Sequence, residues 1–347
     1  MRRFTAFLLT MLMIWTLTAC GGQEETPVTR QILAMDTAMT FVVYGDRGNE
    51  TVQAAVEEVQ RLEKLLDRTD PDSEIGLLNR VSGQTAVVGE VVCRLIETAG
   101  DYSNATDGAF DITIAPVVSA WGFTEAEYKV PSPAELEELM ACVGMEHVAM
   151  TKDTVTLDEG TQIDLGAIAK GYASDCLAEI FAEYEVERGW ASLGGNVLAS
   201  GTRPDGTPWK VGIQDPKYPM QESFVGLVGL ENAYAVTSGG YQRFFEEGGE
   251  TYHHIIAPST GRPAESGLTS VTVIAGSKTP GNGTMCDALS TALFVMGEQK
   301  AIEFWRESGL DFELVLVTDD DRVLVTGGIA ERFTEAEGSG YTYETVS

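Results

Sequence analysis

Ile163-Asp164-Leu165-Gly166-Ala167-Ile168-Ala169-Lys170-Gly171-Tyr172 joins a strand-like approach to a run that reads as a helix over 166–184. The strand ends in a carboxylate, Gly166 and Ala167 let another group come close to the backbone, and the first turn of a helix presents unpaired N–H groups. Lys170 adds a point charge that suits a phosphate. A plain strand–helix junction with a solvated lysine explains these ten residues equally well, so the decision falls to the rest of the chain.

Upstream, residues 32–45 alternate like a strand, and 50–68 place Val52, Val56, Val59, Leu62, Leu65 and Leu66 on one helical stripe. Asp70-Pro71-Asp72-Ser73 stops that helix and caps a short one over 74–80. Ser132-Pro133-Ala134-Glu135 is a capping box with proline at the first helical position, predicting a helix over 133–142. Downstream, residues 190–276 break into short β-branched or aromatic runs between Gly, Pro and Asp turns, the pattern of a largely antiparallel sheet. Residues 283–309 are mostly helical, and 312–317 with 323–326 can close a hairpin across Asp319-Asp320-Asp321.

The chain has 347 residues, with 53 Asp or Glu against 23 Lys or Arg, for a formal charge of −30. That charge argues against nucleic acid as a partner. No GxxxxGK[ST] or GxGxxG occurs, so neither a P-loop nor the usual dinucleotide fold is supported. With three histidines and no CxxC or HxxxH, any metal should be a hard ion held by oxygen rather than zinc. Cys93, Cys142 and Cys176 lie in helical patterns with apolar neighbours and read as core fillers rather than disulfide partners.

Arg2 and Arg3 precede an apolar run over 4–18 that is shorter than the ~20 residues of a membrane span. It ends in Leu17-Thr18-Ala19-Cys20-Gly21, which resembles a bacterial lipobox, so residues 1–19 are expected to be a signal peptide and Cys20 the lipidated first residue. Loss of Arg2 and Arg3 with no acid takes the charge from −30 to −32. A body so acidic is repelled by anionic lipid, so the anchor must hold it at the extracytoplasmic face of a cell membrane. Residues 20–31 read as a polar tether and 32–347 as the functional domain.

Three further segments have chemistry available to them. Asp107-Gly108-Ala109-Phe110-Asp111 brackets small residues with two acids, as an ordinary Asp-rich turn also would. Asp287 and Thr291 stand four apart on one helical face, a spacing that suits Mg²⁺ and equally a helix N-terminal charge beside a back-bonded threonine. His253-His254-Ile255-Ile256-Ala257-Pro258-Ser259-Thr260-Gly261 is a strand running into a turn, and strand alternation lets only one histidine look into a site. A neutral imidazole there suits a general base.

In this order, together with Met35-Asp36-Thr37, Asp72-Ser73-Glu74-Ile75, Leu193-Gly194-Gly195-Asn196 and Thr237-Ser238-Gly239, these pieces resemble the ApbE family of FAD:protein FMN transferases. The resemblance implies an α+β, T-fold-like architecture with a mixed, largely antiparallel sheet and a smaller helical lobe. It implies that Met35, Ala109, Phe110, Asp111, Asp164, Lys170 and Ile255 line a FAD pocket. It further implies that the Ala167 carbonyl, Asp287 and Thr291 hold Mg²⁺, and that His254 is the base, with Asp287 also serving catalysis. Two positions depart from the pattern: Ala257 stands where many members carry aspartate, and Thr69 where many place a flavin-contacting tyrosine.

The expected reaction is Mg²⁺-dependent transfer of FMN from FAD to a Thr or Ser hydroxyl of an acceptor redox protein on the same membrane face, with release of AMP. Two rival functions are a metal-dependent FAD pyrophosphatase giving FMN and AMP, and a flavin-binding lipoprotein without turnover.

Overall fold

The computed structural model describes residues 26–124 and 126–347, so the expected signal peptide and Cys20 lie outside the described residues. Nine strands make one sheet whose spatial order follows the chain: β1 (Val28–Ala34), β2 (Thr37–Val43), β3 (Arg188–Leu193), β4 (Asn196–Gly201), β5 (Ala233–Gly239), β6 (Leu268–Gly276), β7 (Glu313–Thr318), β8 (Arg322–Thr326) and β9 (Thr342–Val346). Each neighbouring pair is antiparallel except β8–β9. The expected antiparallel character over 190–276 and the hairpin across Asp319-Asp320-Asp321 are both present.

Alternation along these strands divides the interior in two. On β5, Tyr234 and Val236 enter the larger core while Ala233 and Ala235 enter a smaller one; Leu314 and Leu316 of β7 part from Val315 and Val317 in the same way. The larger core is covered by α1 (Gly48–Leu66), α2 (Glu74–Arg80), α3 (Glu90–Ala105), and two later helices described below. The smaller core is closed by a three-stranded sheet of Trp209–Gln214, Phe224–Leu230 and Phe333–Glu335. A satellite cluster around Trp121, Phe123 and Leu136 joins α4 (Ala115–Ala120) to α5 (Pro133–Met140), where Glu135 N–H donates to Ser132 Oγ at 3.2 Å as the capping box requires.

Several boundaries differ from expectation. The stretch read as one strand over 32–45 is two strands, β1 and β2, joined by the two-residue turn Met35-Asp36 with φ of 48° and 58°. Such turns ordinarily announce themselves with Asn-Gly, and this one does not. Strand β1 opens at Val28, inside the segment expected to be a tether. Cys142 lies just past α5, partly exposed, and Cys93, Cys142, Cys176 and Cys286 are all free thiols, with Cys93 and Cys286 buried as core fillers. Among the described residues no helix is long and apolar enough to cross a membrane.

Candidate active site

The junction over 163–172 is built differently from the sequence reading. Gly166 N–H donates to Asp164 Oδ1 at 2.8 Å, a local turn that diverts the backbone, so residues 166–168 form a turn and α6 (Ala169–Glu183) starts three residues late. Lys170 therefore stands in the first helical turn, its Nζ donating to Gly166 O at 2.9 Å, and the Ala167 carbonyl belongs to the turn.

Helix α6 crosses α7 (Asn282–Met296) with glycine on both sides of the contact. A Cβ on Gly171 would lie 2.4 Å from Gly283 O and 2.6 Å from Asp287 Cβ, distances no side chain tolerates. That approach lets Gly171 N–H donate to Asp287 Oδ2 at 2.7 Å. The N-terminus of α7 is held by Asp175 of α6, which accepts from the N–H groups of Gly283 and Thr284 at 2.8 Å each and from the Thr284 hydroxyl at 2.6 Å. Burial raises the Asp175 carboxyl above the usual range despite those donors.

Asp287 is thus no solvated helix charge. Only 3% of it is exposed, and its carboxylate is bound to the backbone of α6 rather than left at the end of its own helix. One turn on, Thr291 Oγ1 shares a hydrogen bond with Ser238 Oγ of β5 at 3.2 Å; Ser238 also meets Ser290 Oγ at 2.8 Å, and Ser290 donates to Asp287 O at 2.9 Å. The i, i+4 pair therefore shares one face, and the end of β5 is brought to it.

Around this core the other expected residues fall into two groups. Asp164 is fixed by Arg68, whose Nε lies 2.9 Å from Oδ2 and whose Nη2 donates to the hydroxyls of Ser119 and Thr124. Sequence reading missed Arg68 because it sits among the acids that end α1. Asp111 Oδ1 accepts from Thr113 N–H at 2.8 Å and the Thr113 hydroxyl at 2.6 Å, and burial raises its carboxyl above the usual range. Met35, at the β1–β2 turn, donates its N–H to Glu63 Oε1 at 2.6 Å. Ala109 is half-buried, whereas Phe110 and Ile255 lie within the larger core.

Both histidines are partly buried, and their bonds separate them. His253 Nε2 donates to Ala264 O at 3.2 Å, its Nδ1 accepts from Ile255 N–H at 3.3 Å, and its ring meets Phe294 edge-on at 5.4 Å between centroids. Both nitrogens are committed. His254 Nδ1 bonds Arg243 O at 3.1 Å, and since a carbonyl only accepts, the proton is on Nδ1 and Nε2 carries a lone pair. Alternation is not the reason for this difference, because the strand Glu250–His253 ends before His254, which lies in a bend. Burial, and then the charges of Arg243, His253 and Lys170, push the His254 imidazole down to about 3.

At the two departures the structure shows local hydrogen bonds. Ala257 O accepts from Thr260 N–H at 3.1 Å and Gly261 N–H at 2.9 Å, and Trp121 Nε1 donates to Gly261 O at 2.7 Å, so backbone bonds anchor the turn. The Thr69 hydroxyl donates to Asp67 Oδ1 at 2.7 Å and presents no ring.

The donor set fits a hard cation with phosphate: one carboxylate, one hydroxyl and one carbonyl, all oxygen. Among the described residues no group of three His, Cys, Asp or Glu side chains could hold a metal, so a cation here would rely on neutral oxygens and its ligand. Asn196, directly after Gly194-Gly195, keeps a buried Nδ2 with no partner among the described residues, an unused donor of the kind a ligand satisfies.

The profile of the ApbE family matches residues 35–316. A Treponema pallidum protein named FAD:protein FMN transferase is 33% identical over 337 aligned residues, covering 90% of this chain and 91% of that protein. A Haemophilus influenzae protein of the same name is 29% identical over 360, covering 97% and 100%. The crystal structure of an ApbE protein from Thermotoga maritima superposes with a TM-score of 0.78 at 31% identity, over 90% of this chain and 97% of that one. An apo flavinyl transferase ApbE from Pseudomonas stutzeri gives 0.74 at 27%, over 85% and 92%. Sharing both sequence and architecture with these proteins over most of its length, the chain belongs to the ApbE family.

Proposed function

We propose that the protein is an enzyme that transfers the FMN moiety of FAD to a threonine or serine hydroxyl of an acceptor protein and releases AMP. The observation that carries this reading is the α6–α7 crossing, where Gly171 N–H in the first turn of α6 donates to the buried Asp287 carboxylate of α7. The names of the relatives support the reaction.

In this reading Ala167 O, Asp287 and Thr291 would hold Mg²⁺, which when bound neutralises charge on the diphosphate. Lys170 and the turn before α6 would position the phosphates. The acceptor oxygen forms a bond to the FMN-side phosphorus while the bond from that phosphorus to the AMP oxygen breaks; the hydroxyl proton passes to His254 Nε2, and AMP leaves with the bridging oxygen. A ring held near 3 beside Arg243 and Lys170 is a weak base alone. Burial is the first cause of that depression, and a bound diphosphate would offset only the part due to the cations. Phe110 and Ile255 would act through the core that supports the pocket, and Met35, Ala109, Asp111 and Asp164 at its wall.

The lipobox-like Leu17-Thr18-Ala19-Cys20 supports a lipid anchor at Cys20 on the extracytoplasmic face, with a membrane redox subunit as acceptor. Confinement to one surface would raise the effective acceptor concentration. The test is incubation with FAD, Mg²⁺ and a candidate acceptor, followed by denaturing electrophoresis. Flavin fluorescence that stays with the acceptor is the expected result; free FMN and AMP with an unlabelled acceptor would replace the transferase by a pyrophosphatase.

A further inference from the structure

The hairpin that leads into His254 is a small sheet of its own. Phe244–Glu247 pairs with Glu250–His253 across Gly248-Gly249, whose φ values of 65° and 89° suit a two-residue turn, and among the described residues neither strand pairs with a third. His254 N–H donates to Arg243 O at 3.0 Å, so these two residues face each other as a bonded pair. Bonded and non-bonded pairs alternate along an antiparallel ladder. Phe245 with Tyr252 and Glu247 with Glu250 therefore bond each other, while the N–H and C=O groups of Phe244 and Glu246 point outward. One face of the hairpin is packed, with Phe245 5.1 Å from Tyr128 and Tyr252 5.3 Å from Trp121 between ring centroids. On the second strand His253 is half-buried, its ring against Phe294. The outer edge of the first strand is open: Phe244 is 43% exposed, and Glu246 is exposed as well.

A free strand edge offers a row of donors and acceptors to any extended chain. An enzyme that modifies proteins must hold a segment of foreign main chain beside its base, and this edge runs toward His254: Phe244 follows Arg243, whose carbonyl holds the imidazole. We propose that the acceptor protein docks on the outer edge of Phe244–Glu247, its segment adding as a third strand that carries the Thr or Ser hydroxyl past the Phe244 end toward His254. This rests on the FMN-transfer reading. Charge along the edge selects the chemistry of the occupant. Glu246, Glu247 and Glu250 are all exposed, and Glu246 and Glu247 make no ion pair among the described residues, so the segment that fits carries lysine or arginine opposite them. A second copy of this chain is disfavoured there, since edge-to-edge pairing would crowd the glutamates of both copies.

The experiment is transfer kinetics of the full chain with FAD, Mg²⁺ and an acceptor protein at varied concentration, alongside FAD titration, thermal unfolding and sedimentation. Glu246→Pro removes one outward N–H and leaves the ladder bonds of the hairpin in place, as proline can on a strand edge. Glu246→Lys with Glu247→Lys reverses the charge. Each should raise the acceptor KM about five- to tenfold while kcat at saturating acceptor and FAD affinity stay within about twofold of the unmodified protein, because only docking is lost. Where a lowered melting temperature shows that the proline distorts the hairpin, the lysine pair decides. An unchanged KM in the lysine pair would overturn the proposal and leave the glutamates as charges that keep the edge from pairing; a loss confined to kcat would overturn it too. A dimer of the unmodified protein that Glu246→Pro dissociates would give the edge to a second copy instead. An unmodified protein that yields free FMN and AMP and labels no acceptor would remove the transfer reading and the docking with it, a result seen without any variant.

Discussion

At the crossing of α6 and α7 the Asp287 carboxylate is buried and its partner is a backbone N–H of the second helix; at the hairpin of Phe244–Glu247 with Glu250–His253 the His254 imidazole stands just past a strand end among packed aromatic rings. The first region positions by exclusion, since Gly171 and Gly283 leave no space for movement. The second positions by stacking and one carbonyl bond to His254. In the first, function and stability therefore rest on the same atoms. In the second they can be separated by substitution.

The harshest way to break the first region is Gly171→Ala. With a Cβ facing Gly283 O and Asp287 Cβ at 2.4 and 2.6 Å, the helices must part. Overpacking of this kind costs about 1–3 kcal/mol or more, and thermal unfolding should show a large drop with loss of transfer. A melting temperature equal to that of the parent would mean the crossing is looser than described.

Asp287 sharpens the point. Asp287→Ala leaves the Gly171 N–H buried without its acceptor, at about 1–3 kcal/mol, whereas Asp287→Asn keeps an acceptor and removes the charge. Asp287→Asn should melt within about 1 kcal/mol of the parent yet transfer FMN at least ~100-fold more slowly, read by denaturant unfolding and acceptor labelling side by side. Full transfer by Asp287→Asn would show that the carboxylate charge plays no part.

In the hairpin region His253→Ala removes a group bonded through both ring nitrogens and should lower stability by about 1 kcal/mol or more while FAD affinity is kept. Equal stability of variant and parent would place His253 outside the support of the site.

A further effect is expected on acid stability. Because the folded His254 titrates near 3 and the unfolded ring near 6.5, the unfolded chain binds more protons between those values. The stability due to the neutral ring is complete above pH 6.5 and is lost as pH falls toward 3. Unfolding free energies of His254→Gln should accordingly fall less steeply over that window than those of the parent; parallel curves would contradict the burial of this ring.

The long apolar periodicities made much of the fold legible: the α1 stripe, the capped α5, the hairpin over 312–326. Met35-Asp36 hid a turn because neither residue is glycine, and β9 escaped because Thr342-Tyr343-Glu344-Thr345-Val346 is an edge strand with little burial to pattern it. Of the site, the spacing of Asp287 and Thr291 could be read locally. The burial of Asp287 could not, since its partner Gly171 is 116 residues away. Arg68 and Arg243 became visible only when separate elements met, each through a bond that no local pattern encodes.

The division between a holding region and an activating region is tested most directly by single-turnover transfer with His254→Ala, using saturating FAD and a fixed acceptor. The account predicts FAD affinity within about twofold of the parent and a transfer rate lower by on the order of 10²–10⁴-fold. A transfer rate equal to that of the unmodified protein would contradict it and leave proton removal to the groups gathered at the α6–α7 crossing.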